Sequence, residues 1–550
     1  MGTIRVPIRR SETSAEGAHT AAFFKTFARL AAFADRVAPV LVGIFVGGYF
    51  LLFDAMSLYW RDHLRWGFDI LVYSQPIWNT AHGRLWQVSI YSFTTTELGH
   101  DLVLIELALA PLYRFIGSNL ALVLVQSAAI ALGGLGAYAV GRVAMPRMNR
   151  VVPALCALLY LSLLFVQRTN LDEFKSRNLV MWVWFFVWIG YRTRRSWLIW
   201  LMLGIALLTR SDVALVVVMC GVYGLLSPLR GSVAHPRRPW MQTILPIVIG
   251  AAWFVMVVYV IVPRHSTQGF IYDENYGWLG GSLTGIITHT VTRPLYVLQG
   301  VLTPAKLRYT FDLLFPFAFL SLLRPKILLL PLPIYLLNML SAYENQFSIV
   351  HHYQALVVPF LAIAAIEAVA AIAKGFSVSA GDPAQSVEDD WLVRLAATIR
   401  RKLQLPSLVA ALSPLVLVAL MLACSSVQQL TVNSPVLSYA FHHGPSARAE
   451  AGKQLLREVP HDAPLAVTQK LAGMMPDRRY VYSFPGDPLY HDPALIAHAD
   501  YLIGDEELST FEADAIARYR VDPAWKVLDE RGGFILIHRE IPHADVGGAG

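Results

Sequence analysis

Long apolar runs separated by short polar breaks fill most of the chain. A membrane-spanning helix needs about 20 predominantly apolar residues. Segments that reach or approach this are 39–60, 119–141, 151–167, 178–192, 197–210, 212–229, 241–263, 308–323, 326–342, 354–373 and 407–424. The pattern predicts an α-helical polytopic membrane protein of about eleven spans. The polar breaks test that count independently, because cytoplasmic loops carry an excess of Lys and Arg. With the polar arm 1–38 inside, every even-numbered span should end at a basic loop. Each does: at Arg142, Arg147 and Arg150; at Arg192, Arg194 and Arg195; at Arg230, Arg237 and Arg238; at Arg324 and Lys326; and at Lys374 through Arg400, Arg401 and Lys402.

The segment 101–117 is apolar enough to compete as a further span, but counting it would put every later basic loop outside. It also carries Asp101, Glu106, Pro111 and Arg114, so it reads as an interfacial helix on the outer face. The core 39–374 then has two large outer loops, 61–118 and 264–307. A cytoplasmic loop and surface helix occupy 375–406, ahead of the last span at 407–424. Beyond it the pattern changes to that of a small soluble α/β domain over 430–545, outside the membrane by parity. Strand-like runs lie at 464–469, 479–484, 500–505 and 525–539, with helical stretches at 446–459 and 510–519. The Arg531-Gly532-Gly533 turn marks a hairpin within the last run.

Composition agrees: 55% of the 550 residues are apolar and only 15% charged, against roughly 25% charged in soluble domains. This excludes an ordinary soluble enzyme, a disordered chain and a disulfide-stapled domain. The net charge of +7 belongs to the basic loops rather than to nucleic-acid binding. Cys156, Cys220 and Cys424 all sit inside apolar runs, where they read as small hydrophobes. The basic N-terminal region is expected to stay inside, with the first span acting as an uncleaved anchor.

The scarce remaining charges cluster. The first outer loop holds Asp69, Gln75, Asn79, His82, Arg84, Glu97, His100 and Asp101 among five Trp and Tyr residues. A second cluster is Asp172, Glu173, Lys175 and Arg177. A third is the turn Thr209-Arg210-Ser211-Asp212, and a fourth contains Glu344, His351, His352 and Tyr353. By parity all four face the same, outer compartment, and polar groups beside hydrocarbon are costly enough to need a reason. Carboxylates with Arg, Lys and His at the bilayer surface suit glycosyl transfer from a lipid-linked phosphosugar. A carboxylate takes the acceptor proton and cations hold the departing phosphate. No residue pattern assigns a cofactor or a metal, although a divalent cation is compatible with the chemistry. Neighbouring His351 and His352 would point about 100° apart on a helix, and the run Glu388-Asp389-Asp390 reads as a solvated cytoplasmic face.

The stretches GFDILVYSQPIWNTAHGRL, GHDLVLIELALAPLY, LLTRSDVALVVV and HHYQALVVPFLAIAAIEA, in this order, resemble a bacterial family of polytopic membrane proteins known as domain of unknown function 2079. Its members look like type-C glycosyltransferases of the mannosyl- and arabinosyltransferase kind, which use polyprenyl-phosphate sugars. The resemblance implies a catalytic Asp in the first outer loop, and Asp69 occupies the matching position. Two departures stand out. Ser74 replaces a second Asp, and Phe174-Lys175-Ser176 stands where Phe-His-Pro is usual. They leave room for an altered substrate or a lost activity.

The expectation is therefore an inverting transferase with Asp69 as general base, taking a polyprenyl-phosphate sugar from the membrane lipid to an envelope acceptor. Arg210, Lys175, Arg177 and His352 would bind the donor phosphate. Gln75, Asn79, His100, Asp101, Glu173, Asp212, Glu344 and Tyr353 would orient substrate. The competing readings are a transporter or flippase of a lipid-linked or anionic solute, and a non-catalytic envelope scaffold.

Overall fold

The computed structural model describes residues 15–117, 119–226, 239–268, 273–378, 390–441, 446–485 and 493–540, with first-helix side chains from Arg29. The basic loop of Arg230, Arg237 and Arg238, and the pair Glu388-Asp389, lie outside the described residues. Every segment expected to span is helical at least in part. Among the described residues five helices are long and apolar enough to cross a membrane on their own: Arg29–Asp62, Leu120–Ala144, Trp240–His265, Val358–Ser377 and Val409–Thr431. A sixth crossing would be the pair Val151–Ser162 and Leu164–Leu171, bent by 49° at Leu163. The other segments are shorter or broken. Ser196–Leu207 and Val213–Leu226 have 12 and 14 residues, or about 18 and 21 Å of helix against a hydrocarbon core of about 30 Å. Between 304 and 342 the cause is proline: Pro316, Pro325, Pro331 and Pro333 each fall at or near a helix start. Hydropathy registers apolar length without regard to these breaks, so among the described residues the expected spans comprise five or six helices of full length and several shorter or broken ones.

The helices pack closely where small residues allow it. A Cβ at Gly133 would lie 2.5 Å from the Tyr160 ring, and one at Gly136 would lie 2.7 Å from Phe185. The last long helix, Ser407–Thr431, continues past the expected end at 424. Gln428 and Gln429 lie beyond the apolar run but bond inward, to the Asp312 carbonyl at 2.8 Å and to Gln167 at 2.8 Å.

The segment 101–117 contains the amphipathic helix Ile105–Ile116. It buries Glu106, Leu109 and Tyr113, and leaves Leu107 and Phe115 exposed. The stretch between the long helix ending at His265 and residue 304 contains helices Leu283–Thr292 and Pro294–Val301, with Ile287, Val291 and Leu295 on their open faces.

The C-terminal domain is a five-stranded sheet: β1 (Leu465–Thr468), β2 (Val481–Phe484), β3 (Tyr501–Asp505), β4 (Trp525–Arg531) and β5 (Phe534–Arg539), in the order β2-β1-β3-β5-β4. β1 runs parallel to both β2 and β3, while β5 is antiparallel to β3 and β4. Gly532 and Gly533 turn the β4–β5 hairpin with φ of 59° and 79°, which a two-residue hairpin loop requires. Strand alternation divides the side chains. Ile535 and Ile537 pack with Ile516 of helix Thr510–Val521, whereas Phe534 and Leu536 enter a core shared with the segment that follows the first long helix. That shared core contains Trp66, Ile70, Tyr73 and Ile77 beside Leu455, Leu465 and Val467. The sheet domain is therefore fused to the loop that carries Asp69.

Polar contacts pin the same junction. Ser89 Oγ donates to the Val481 carbonyl at 2.8 Å and accepts from the Val481 N–H at 2.9 Å, covering the β2 edge. Gln75 Nε2 donates to Ser89 Oγ at 2.8 Å and to the Arg479 carbonyl at 2.9 Å. Gln75→Ala strands these buried partners and is expected to cost about 1–3 kcal/mol. Thermal unfolding checks the loss, and faster amide exchange in β2 than in β4 locates it.

Candidate functional site

The site is assembled around the break that follows helix Leu164–Leu171. Glu173 adopts a left-handed backbone with φ of 53°, a conformation that costs a non-glycine residue about 1–3 kcal/mol and concentrates at functional sites. The turn is held by Gln126, a single amide in the apolar helix Leu120–Ala144. Its Nε2 donates to the carbonyls of Asn170 at 3.1 Å and Glu173 at 2.5 Å. Its Oε1 accepts from the Lys175 N–H at 2.8 Å and Asn178 Nδ2 at 3.1 Å. The result spreads Asp172, Glu173 and Lys175 toward different partners.

Lys175 is almost fully buried and its ammonium lies 2.6 Å from Asp69, whose side chain is 48% exposed. Asp69 begins helix Asp69–Ala81, where the helix N-terminus favours an anion. Burial works against ionising Asp69, but the Lys175 charge and hydrogen bond, with His352, hold it below the usual carboxylate range. Lys175 is pulled down by burial and raised more strongly by Asp69, Glu173 and Asp172, so it stays charged. Asp172 accepts from His352 Nδ1 at 2.8 Å and His351 Nδ1 at 3.2 Å. Those bonds and Lys175 overcome burial and keep it well below the ordinary value. Burial pushes the His352 imidazole down to about 4 despite Asp172, so it is neutral at pH 7.

Glu173 differs from its neighbours. One of its oxygens accepts from the Gly67 N–H, and burial raises it to about 7 in spite of Lys175. Below about pH 4.5 both folded and unfolded forms hold this proton. Between about 4.5 and 7 the folded form holds more of it, so this residue's contribution to stability falls as pH rises through that window. Glu173→Gln is expected to remove the dependence. Wild type minus variant stability should decline by about 3 kcal/mol from pH 4.5 to 7, measured by thermal unfolding at several pH values; a flat difference would contradict it.

A second set of ion pairs adjoins the first. Arg177 lies 2.9 Å from Asp212 and over the ring of Tyr353, which itself stacks on His352. Arg210 lies 3.8 Å from Asp212 and 3.4 Å from Asp101. Asp101 also accepts from Ser211 Oγ at 3.1 Å. Beyond it, His100 Nδ1 meets Glu97 at 2.7 Å. Burial, followed by the negative neighbours Glu97 and Asp101, raises Glu106 well above its normal value.

Residues from all four sequence clusters therefore meet in one network: Asp69, His100, Asp101, Glu173, Lys175, Arg177, Arg210, Asp212, His352 and Tyr353. Three expected residues stand apart. Gln75 and Asn79 bond to Ser89, Gln87, Arg84 and Arg479, within the loop and across to the sheet domain. Glu344 is exposed on the turn Glu344–Phe347 and makes no ion pair among the described residues. Asp172, Glu97 and Gln126 take parts that the sequence reading did not give them. For Gln126 the available signal was a lone amide inside an apolar helix. Among the described residues no three His, Cys, Asp or Glu side chains are grouped to hold a metal ion.

Comparison with known proteins gives the following. The chain is similar to the solved structure of ArnT from Cupriavidus metallidurans bound to undecaprenyl phosphate. Identity is 14%, coverage is 89% of this chain and 98% of that one, and the TM-score is 0.44. It is similar to the Archaeoglobus fulgidus oligosaccharyltransferase tethered to an acceptor peptide at 12% identity, covering 86% and 70%, with a TM-score of 0.41. AglB from the same archaeon, in complex with an inhibitory peptide and a dolichol-phosphate, matches at 12% identity over 91% and 75%, with a TM-score of 0.39. No curated protein matches the sequence. A family profile described as predicted membrane protein, DUF2079, matches residues 63–537, from the end of the first long helix to the final strand. With its five long apolar helices, this is a multi-pass membrane protein, and it belongs to the DUF2079 family.

Proposed function

We propose that this protein is an inverting glycosyltransferase that moves a sugar from a polyprenyl-phosphate donor to an envelope acceptor. The observation that carries the reading is a single half-open carboxylate, Asp69, kept ionised beside the buried Lys175 and next to a network containing Arg177 and Arg210. In the reaction an acceptor hydroxyl attacks the sugar's anomeric carbon and gives its proton to Asp69. The new glycosidic bond forms as the anomeric carbon–phosphate oxygen bond breaks, and polyprenyl phosphate leaves as an anion. Arg177 and Arg210 suit that oxyanion, since guanidinium meets phosphate in bidentate fashion. Asp212 and Asp101 hold the two arginines in place before substrate arrives. Neutral His352 and Tyr353 are suited to hydrogen-bond the donor's sugar or phosphate. The outer face of a bacterial inner membrane is the compartment this reading requires.

The test is incubation of the purified protein with radiolabelled polyprenyl-phosphate sugars and an envelope extract, with transfer of label to a non-lipid product as the expected result. Arg210→Ala should weaken binding of polyprenyl phosphate by about tenfold or more, roughly one charge-assisted hydrogen bond. Unchanged affinity removes Arg210 from the phosphate site. Movement of an intact labelled lipid across proteoliposomes without transfer would replace this reading by a flippase.

A further inference from the structure

A cavity of about 880 Å³ lies far from this network, walled by Val143–Met148, Ala370–Lys374 and Ala410–Ala411. Helix Val358–Ser377 begins beside the His352 loop and ends at the cavity; its 20 residues make it about 30 Å long. The two sites therefore occupy opposite ends of the bundle. Among the described residues five cations line the cavity, Arg147, Arg192, Arg324, Lys374 and Arg400, against two carboxylates, Glu367 and Asp390.

Some of this charge is structural. Arg324 pairs with Asp390 at 2.7 Å, Arg192 with Glu367 at 3.2 Å, and Arg400 donates to the carbonyls of Phe376 and Val378. Arg147, exposed on the turn after helix Leu120–Ala144, has no carboxylate partner among the described residues. Among the described residues the wall thus carries more cations than carboxylates, and most of the rest of it is apolar, with Ala144, Met145, Met148, Ala370, Phe376 and Val393.

A second, independent feature sets the depth of the cavity. Helix Trp391–Lys402 buries Leu392, Val393, Ala396 and Ala397 against the bundle. It also exposes Trp391, Leu395 and Ile399, followed by Leu403, at steps of four residues. A helix with an apolar stripe on its open side and Arg400, Arg401 and Lys402 in its last turn lies in the membrane interface. Its presence puts the cavity mouth at headgroup level.

We infer that this cavity binds a phosphate-bearing anion, and that its occupant is the headgroup of an anionic phospholipid, with the apolar wall receiving the start of the acyl chains. Basic pockets between spanning helices recognise such headgroups. The inference does not depend on the transferase reading.

Native mass spectrometry of the delipidated full-length protein tests it, with cardiolipin, phosphatidylglycerol and phosphatidylcholine offered separately. Millimolar inorganic phosphate forms a second arm, read as a thermal shift. Anionic lipids should be retained in preference to phosphatidylcholine, and the double variant Arg147→Gln/Lys374→Gln should lose about tenfold or more of that retention. Arg147→Gln alone, on an exposed turn, should show part of the same loss if the double variant folds poorly. Equal retention of phosphatidylcholine, or retention unchanged in both variants, overturns the site. Stabilisation by inorganic phosphate with no lipid retained upholds the anion site and overturns the lipid as its source.

Discussion

Asp69→Asn is expected to lower sugar transfer by about 10²–10⁴-fold, the usual contribution of a positioned general base, while the protein still accumulates and unfolds near the wild-type temperature. The expected separation of activity from folding follows from geometry. The Asp69 side chain is half exposed, so an isosteric amide leaves no cavity and strands little. Lys175 keeps Asp172 and Glu173 nearby as sources of negative charge, so it is not left as an isolated buried cation. The loss should fall on kcat, because the proton moves only as the acceptor attacks. A variant with full activity would remove Asp69 as the base, and a variant affecting only KM would make it a binding group.

Lys175→Met should have the opposite character, with stability suffering first. Lys175 is 4% exposed and is the cation nearest Asp69, Asp172 and Glu173. Removing one partner from a buried pair costs about 3–5 kcal/mol. The open face of Asp69 screens part of that, so a loss of about 2–4 kcal/mol is expected. The pH dependence identifies the cause. Without the cation all three carboxylates bind protons more readily, so the deficit against wild type should shrink as pH falls from 8 toward 5. A deficit that does not change with pH would point to lost packing instead.

Much of this site was legible in the sequence because charge is scarce there. Asp172–Arg177, Arg210–Asp212 and His351–Tyr353 stand out against long apolar runs, and the alternation of basic loops leads to the expectation that they share one face. The individual pairings were not legible. Nothing in the spacing says that Lys175 reaches Asp69 or that Arg177 reaches Asp212, since both contacts depend on the left-handed Glu173 and the Gln126 clasp. Gln75 and Asn79 look like substrate ligands in a polar loop, yet their partners lie about 400 residues away in sequence. The sheet domain was readable strand by strand from alternation and the Gly532-Gly533 turn. Its fusion to the segment bearing Asp69 was not, because the aromatic residues Trp66 and Tyr73 suit a membrane-interface belt as well as a domain core. The breaks inside the expected spans were not legible, as prolines interrupt apolar segments without lowering their hydropathy.

The shared core between the first outer loop and the sheet has a consequence for how the protein is made. Synthesis runs from the N-terminus, so the loop bearing Asp69 emerges early, while β2 and Arg479 follow some 400 residues later. Until then Trp66 and Ile70 lack their partners from the sheet, and the nascent chain has an unfinished face. Contacts so distant along the chain close late. A ribosome-bound or truncated chain ending near residue 440 would accordingly hold every charged residue of the site and still lack its support. Completion of the polypeptide thus acts as an assembly checkpoint, and such chains should be inactive and readily degraded.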